Sequence, residues 1–230
     1  MRLKTSYGQI FSISMPIMLG SAAQNLIVLC DNIFLFHYSS LDFEASGLVG
    51  VFYLMIAAIG YGFSRGGQIL IARRSGEHDY EGTGAAFQSL FIFEAALSVL
   101  MFCVLFWFGQ PIFSLFVKNQ EILQKCMEYL GPRSYGIFFS YLGVSLVAYY
   151  TGIARTNFII YDTIVLIMVN IILNWIFIFG KFGVPNGNKR CSLSQHLAEV
   201  VAFIVFIIYI FMIKSTINTN YGNLRDLTLL

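Results

Sequence analysis

Apolar runs of about 20 residues or more recur along the whole chain, more than a soluble fold of 230 residues can bury. A helix needs roughly 20 mostly apolar residues to cross about 30 Å of hydrocarbon. That length rule gives about six spans, near 9–36, 47–72, 84–109, 129–153, 158–180 and 196–214. With 57% hydrophobic and only 11% charged residues, the runs are too uniform for the stripe of a soluble amphipathic helix. The expected class is an all-α polytopic integral membrane protein. The first run continues past Asp31 at full length, so it reads as a retained helix and not as a cleaved signal peptide.

The net charge of +2 is too small to suggest a nucleic-acid partner, and the basic residues form no single patch. Most sit between spans. Arg2, Lys4, Arg73, Arg74, Arg155 and Lys214 fall on one side, which predicts cytoplasmic termini. His37, Asp42, Glu44, Lys118, Lys125, Arg133, Lys181, Lys189 and Arg190 fall on the other, so the bias is modest. Cys30, Cys103, Cys126 and Cys191 are scattered without metal-ligand spacing, and no metal or cofactor is expected. The charged stretch 73–82 reads as a loop turned by Gly76 and Gly82. Residues 110–128, with Pro111, Lys118 and Glu121, read as a helix lying at the opposite membrane surface or as a plain loop. Gly183, Pro185 and Gly187 mark the turn between spans five and six.

Within the spans the polar residues stand out. An ionised aspartate at the bilayer centre costs on the order of 2.5–3.5 kcal/mol, so Asp31 needs partners or a proton. Gln24 lies seven residues earlier on the same helical face, and Pro16, fifteen before Asp31, loosens the helix below. In span five, Thr163, Asn170 and Asn174 are spaced by seven and four, which stacks them along one stripe. Carboxylate, amide and hydroxyl oxygens suit a hard cation such as sodium, and a desolvated carboxyl can carry a proton instead. The alternative for the same residues is interhelical hydrogen bonding, at about 0.6–2 kcal/mol per bond.

Glu94, well inside span three, is a candidate auxiliary group for a proton path or for pairing within the bundle. Glu199 is expected to snorkel to water from a span end, and Asp162 to be solvated or to cap a helix. Arg65 reads as the only basic residue well inside a span. Tyr135, Tyr141, Tyr149 and Tyr150 of span four are the aromatic residues expected to wall a substrate cavity, since aromatic faces attract organic cations. His37, His78 and His196 fall near span ends or in loops, and no nucleophile with a base lies inside the spans, so an enzyme is not expected.

Three stretches together resemble the multidrug and toxic compound extrusion (MATE) transporters: Pro16 followed by Asp31, the run GGQILIARRSGE at 66–77, and the run NIILNWIFIFGKFGVP at 170–185. The resemblance covers about 14–214, and the span-five motif is its most specific part. It implies alternating access, in which inward flow of sodium or protons drives export of organic cations and other toxic compounds across the plasma (inner) membrane. It further implies that Asp31 matches the acidic residue of the cation site, Pro16 the proline at which helix one bends, and Asn170 a polar member of that site. Asn174 matches a position held by aspartate in some members and asparagine in others, which leaves sodium and proton both open.

Members of that family have twelve helices in two lobes. The chain therefore reads as the amino-terminal six-helix lobe at 1–214 with the start of an interlobe linker at 215–230, either truncated or half-size. An active form needs a second lobe in trans or a homodimer, because a two-fold interface requires only self-complementarity. The stretch 186–191, NGNKRC, departs from the family pattern and is consistent with a local frame disturbance. Two other readings stay open: an inactive fragment, and a lipid-linked oligosaccharide flippase of the same superfamily, which would line its cavity with arginine or lysine.

Overall fold

A computed structural model describes residues 7–174, 176, 192–193, 196–201, 203–205 and 207–208. The side chains of Pro16, Gln24, Asp162 and Asn174 lie outside the described residues, as do the stretch 186–191 and the tail from 209. Five long helices follow one another: α1 (Tyr7–Tyr38), α2 (Ser40–Gly76), α3 (Tyr80–Phe116), α4 (Gln120–Gly152) and α5 (Asn157–Asn174). A sixth helical segment, α6, covers His196–Val205. No strand occurs among the described residues.

The helices begin where short polar side chains cap them. Ser39, Asp79 and Asn119 accept hydrogen bonds from the backbone N–H groups of Asp42, Gly82 and Glu121, at 3.4, 2.9 and 2.9 Å. The turn between α2 and α3 is tight, and its left-handed residue is His78 (φ 60°), not either of the glycines expected to make it. Gly76 ends α2, and Gly82 sits in the first turn of α3, where a Cβ would overlap the capping carboxylate of Asp79. Residues 110–128 form no separate surface element. α3 continues through Pro111 to Phe116, and α4 starts at Gln120 after a three-residue break. Phe113 holds that last turn by packing, buried, against Phe52 of α2 with ring centroids 5.1 Å apart.

Packing divides the molecule in two. α2, α3 and α4 pack mutually, while α1 lies on α5 and on α2. The first core joins Val49, Tyr53 and Ile56 of α2 to Leu105 and Phe113 of α3 and to Ile137 and Tyr141 of α4. Tyr141 donates its hydroxyl to the Ile56 carbonyl at 2.7 Å, and Gly60 makes room for its ring, since a Cβ there would lie 2.8 Å from a ring carbon. Outward faces are apolar as well: Val51 and Met55 of α2 and Phe106, Trp107 and Phe108 of α3 are all exposed, as lipid-facing residues are. Ile17–His37, Ser40–Gly76 and Tyr80–Phe116 are long and apolar enough to cross a bilayer. α4 is long but carries Lys125, Glu128 and Arg133, and the described apolar part of α5, Thr163–Leu173, is shorter.

Candidate functional site

A cavity of about 570 Å³ opens between the two halves, walled by α1, α2, α4, α5 and α6. Its polar lining comes from Asn25 on α1, Tyr61, Ser64, Arg65 and Gln68 on α2, Arg133 and Ser140 on α4, Thr163 and Asn170 on α5, and Glu199 on α6. On α4 the wall residues Arg133, Ser140, Val144 and Val147 follow steps of seven, four and three, a single helical stripe. On α5 the stripe is Thr163, Leu166 and Asn170.

Asp31 is buried on α1 at 2% exposure, and Asn170 is buried on α5 at 1%. Their helices are in contact, and Gly20 marks the close approach, where a Cβ would come within 3.3 Å of the Thr163 hydroxyl. Thr163 and Asn170 both reach the cavity, whereas Asp31 is buried and does not line it, within electrostatic range of the Arg133 guanidinium. Asn25, next to Gln24, is the α1 side chain that faces the cavity with its amide, and sequence reasoning passed it over.

Glu94 is fully buried on α3, a helix that contributes no residue to the cavity lining. Its Oε1 accepts a hydrogen bond from Ser64 at 2.7 Å, and its Oε2 has no hydrogen-bond partner among the described residues. Ser64 lines the cavity, so the acid reaches the wall through one hydroxyl.

The tyrosines expected on the cavity wall are elsewhere. Tyr141 is in the core described above, and Tyr149 and Tyr150 are buried, with the Tyr149 ring tilted against Phe87 of α3 at a centroid distance of 4.6 Å. Tyr135 is 49% exposed and rests against Phe102 of α3 at 5.2 Å. These positions fall off the stripe that α4 turns to the cavity. The aromatic residues that do line it are Tyr61, Phe139 and Phe203.

Two charged residues also depart from expectation. Arg133 is not in an external connection: it lies thirteen residues into α4, about 20 Å along the axis. Glu199 does not snorkel to water. Arg133 Nη1 and Glu199 Oε1 are 3.0 Å apart, with side chains 16% and 18% exposed, and the guanidinium carbon stands 4.3 Å from the centroid of the Tyr53 ring. The cavity thus holds two arginines, Arg65 and Arg133, one of them neutralised by a carboxylate across α4 and α6.

Comparison with known proteins places this geometry. The MatE family model matches residues 16–176. The chain belongs to the MatE family. MatE proteins are transporters, not enzymes, and the described helices are those of one lobe of such a membrane transporter. The chain is 23% identical over 207 residues to the multidrug resistance protein NorM of Photobacterium profundum, covering 90% of this chain and 45% of that protein. It is 24% identical over 224 residues to the multidrug resistance protein MdtK of Cronobacter sakazakii, covering 95% and 46%. An outward-facing multidrug resistance MATE transporter of the MOP superfamily superposes with a TM-score of 0.83 at 23% identity, over 90% of this chain and 45% of that one. A MOP superfamily transporter from Pyrococcus furiosus superposes with a TM-score of 0.82, also at 23% identity, over 88% and 44%. The chain spans about half the length of the curated relatives it matches.

Proposed function

We propose that this chain is the amino-terminal six-helix lobe of a cation-coupled antiporter that exports organic cations or other toxic compounds. The observation that carries the reading is a buried carboxylate, Asp31, on a helix packed against the one that presents Asn170 and Thr163 to a cavity of about 570 Å³. A buried acid in a membrane lobe is costly to keep unless it is used, and hydroxyl and amide oxygens on the helix packed against it would complete a donor set for sodium or a relay for a proton. Asn174 supplies a further amide in the same proposal, and Pro16 the flexible point of α1.

The second wall of the cavity comes from a second six-helix lobe, in trans or as a homodimer. The lobe resides in the plasma (inner) membrane with both termini cytoplasmic, as the arginines of 73–74 and Arg155 favour. A flippase for lipid-linked oligosaccharides is less well supported, because the Arg133 charge is offset by Glu199 and the wall carries no net cluster of cations for pyrophosphate.

The test is accumulation of a fluorescent organic cation in an efflux-deficient bacterium, comparing wild type with Asp31→Asn at matched membrane abundance. Wild type lowers accumulation and Asp31→Asn does not. Equal export by the two overturns the role of Asp31. Equal accumulation in wild type, variant and empty vector, with insertion confirmed, leaves an inactive lobe unless the second is supplied.

A further inference from the structure

The first turn of α6 places His196 and Glu199 three residues apart on one helical face, and that face meets α4 at Gly136. A Cβ on Gly136 would overlap Glu199 Oε2 and would lie 3.6 Å from His196 Nδ1, so both polar atoms gather over the same bare stretch of helix. Both atoms are buried and without a hydrogen-bond partner among the described residues. Buried polar atoms are almost always satisfied, so a carboxylate oxygen and an imidazole nitrogen left over the same cradle point to something they hold.

We propose that Glu199 and His196 form a second proton-binding site of the lobe, separate from the one around Asp31, with the Arg133 guanidinium as its fixed counter-charge. A metal cation is disfavoured here, since the donor set is one carboxylate and one imidazole beside a guanidinium that stays charged at every accessible pH. A proton satisfies the geometry with nothing else added: it comes from cavity water, settles on Glu199 Oε2 or His196 Nδ1, and returns to water when the site opens to the other side.

The groups facing Glu199 are Arg133 of α4, Tyr53 and Tyr61 of α2 and His196 on its own helix, and Tyr129 of α4 and Asp31 of α1 lie within electrostatic range of Arg133. The tyrosines stay neutral near pH 7, so the working charges are Arg133, Asp31, Glu199 and His196. With Glu199 ionised, the Arg133 pair is neutral. With Glu199 protonated, Arg133 is uncompensated on the cavity wall, and Asp31 is the carboxylate left within its range. Loading the second site therefore leaves the Arg133 charge to act on Asp31 alone, which links the two sites through one arginine.

The use of this site in transport rests on the exporter reading above; its existence does not. The experiment is infrared difference spectroscopy of the purified protein in lipid nanodiscs, stepping pH between about 4 and 9 and following the C=O stretch of protonated carboxyls. One titrating band is expected to vanish in Glu199→Gln and to persist in Asp31→Asn. Gly136→Ala, which fills the cradle, and His196→Gln, which removes the imidazole, are each expected to change the proton affinity of that band at least tenfold. Spectra of Glu199→Gln that superimpose on wild type overturn the proposal. Should Glu199→Gln not fold, an unchanged midpoint in both Gly136→Ala and His196→Gln overturns it. Loss of drug export with the band intact refutes the exporter reading alone, and export without the band refutes the second site alone.

Discussion

Replacing Arg133 with methionine keeps most of the side-chain stem and removes the charge, which strands Glu199 inside the lobe. The magnitude follows from geometry. The two side chains are 16% and 18% exposed and 3.0 Å apart, so solvent screens them little. Breaking such a pair from one side costs about 3–5 kcal/mol, and loss of the guanidinium over the Tyr53 ring adds roughly 0.5–2 kcal/mol. Replacing both partners removes the stranded charge, so Arg133→Met combined with Glu199→Met is expected within about 1–2 kcal/mol of wild type. Acidification neutralises the stranded carboxylate, so the deficit of Arg133→Met shrinks as pH falls. The assay is reversible unfolding in mixed detergent micelles, with the four proteins of the cycle compared at two pH values. Additive single-variant costs, with no recovery in the double variant, refute the reasoning, because they mean that α4 and α6 are not coupled through this pair.

On the other side of the α2–α4 interface, Lys125 meets the buried Asp42 at 3.0 Å, and Lys125→Ala is expected to cost about 2–4 kcal/mol in the same assay, mostly recovered by adding Asp42→Asn. Tyr141→Phe removes the bond to the Ile56 carbonyl and is expected to cost about 1 kcal/mol, whereas Gly60→Ala drives a methyl into the Tyr141 ring and is expected to cost about 1–3 kcal/mol. A Gly60→Ala protein as stable as wild type means that the ring moves freely. Ser64→Ala removes the hydroxyl that Glu94 accepts from and is expected to destabilise by about 1–3 kcal/mol, an effect that Glu94→Leu should largely cancel. Retention of the full penalty in the double variant refutes a direct bond between them.

What the sequence exposes and what it hides have one physical origin. The presence of the long apolar helices is legible because hydrocarbon thickness sets how long an apolar run must be, whereas their ends are not: α2 and α3 run to 37 residues each, beyond the expected 47–72 and 84–109. Orientation is harder, because a membrane helix is apolar toward lipid and toward its neighbours, so hydrophobicity no longer says which face is inside. Only polar residues carry that information. Thr163 and Asn170, seven apart on α5, do fall on the cavity wall where their stripe predicts a shared face. Tyr135, Tyr141, Tyr149 and Tyr150 had no such marker, and α4 turns them toward α2, α3 and the outer surface. The missed pair had a different cause. Reading 110–128 as a surface element put the start of helix four at about 129, which made Arg133 look external; the cap at Asn119 sets the start nine residues earlier and carries Arg133 into the bundle. Once Arg133 is buried, an acid must accompany it on another helix, and Glu199, sixty-six residues away in sequence, is the one the packing of α6 delivers. A rule follows for such chains: an arginine close to an assumed span boundary should be tested against the nearest upstream cap before it is assigned to water.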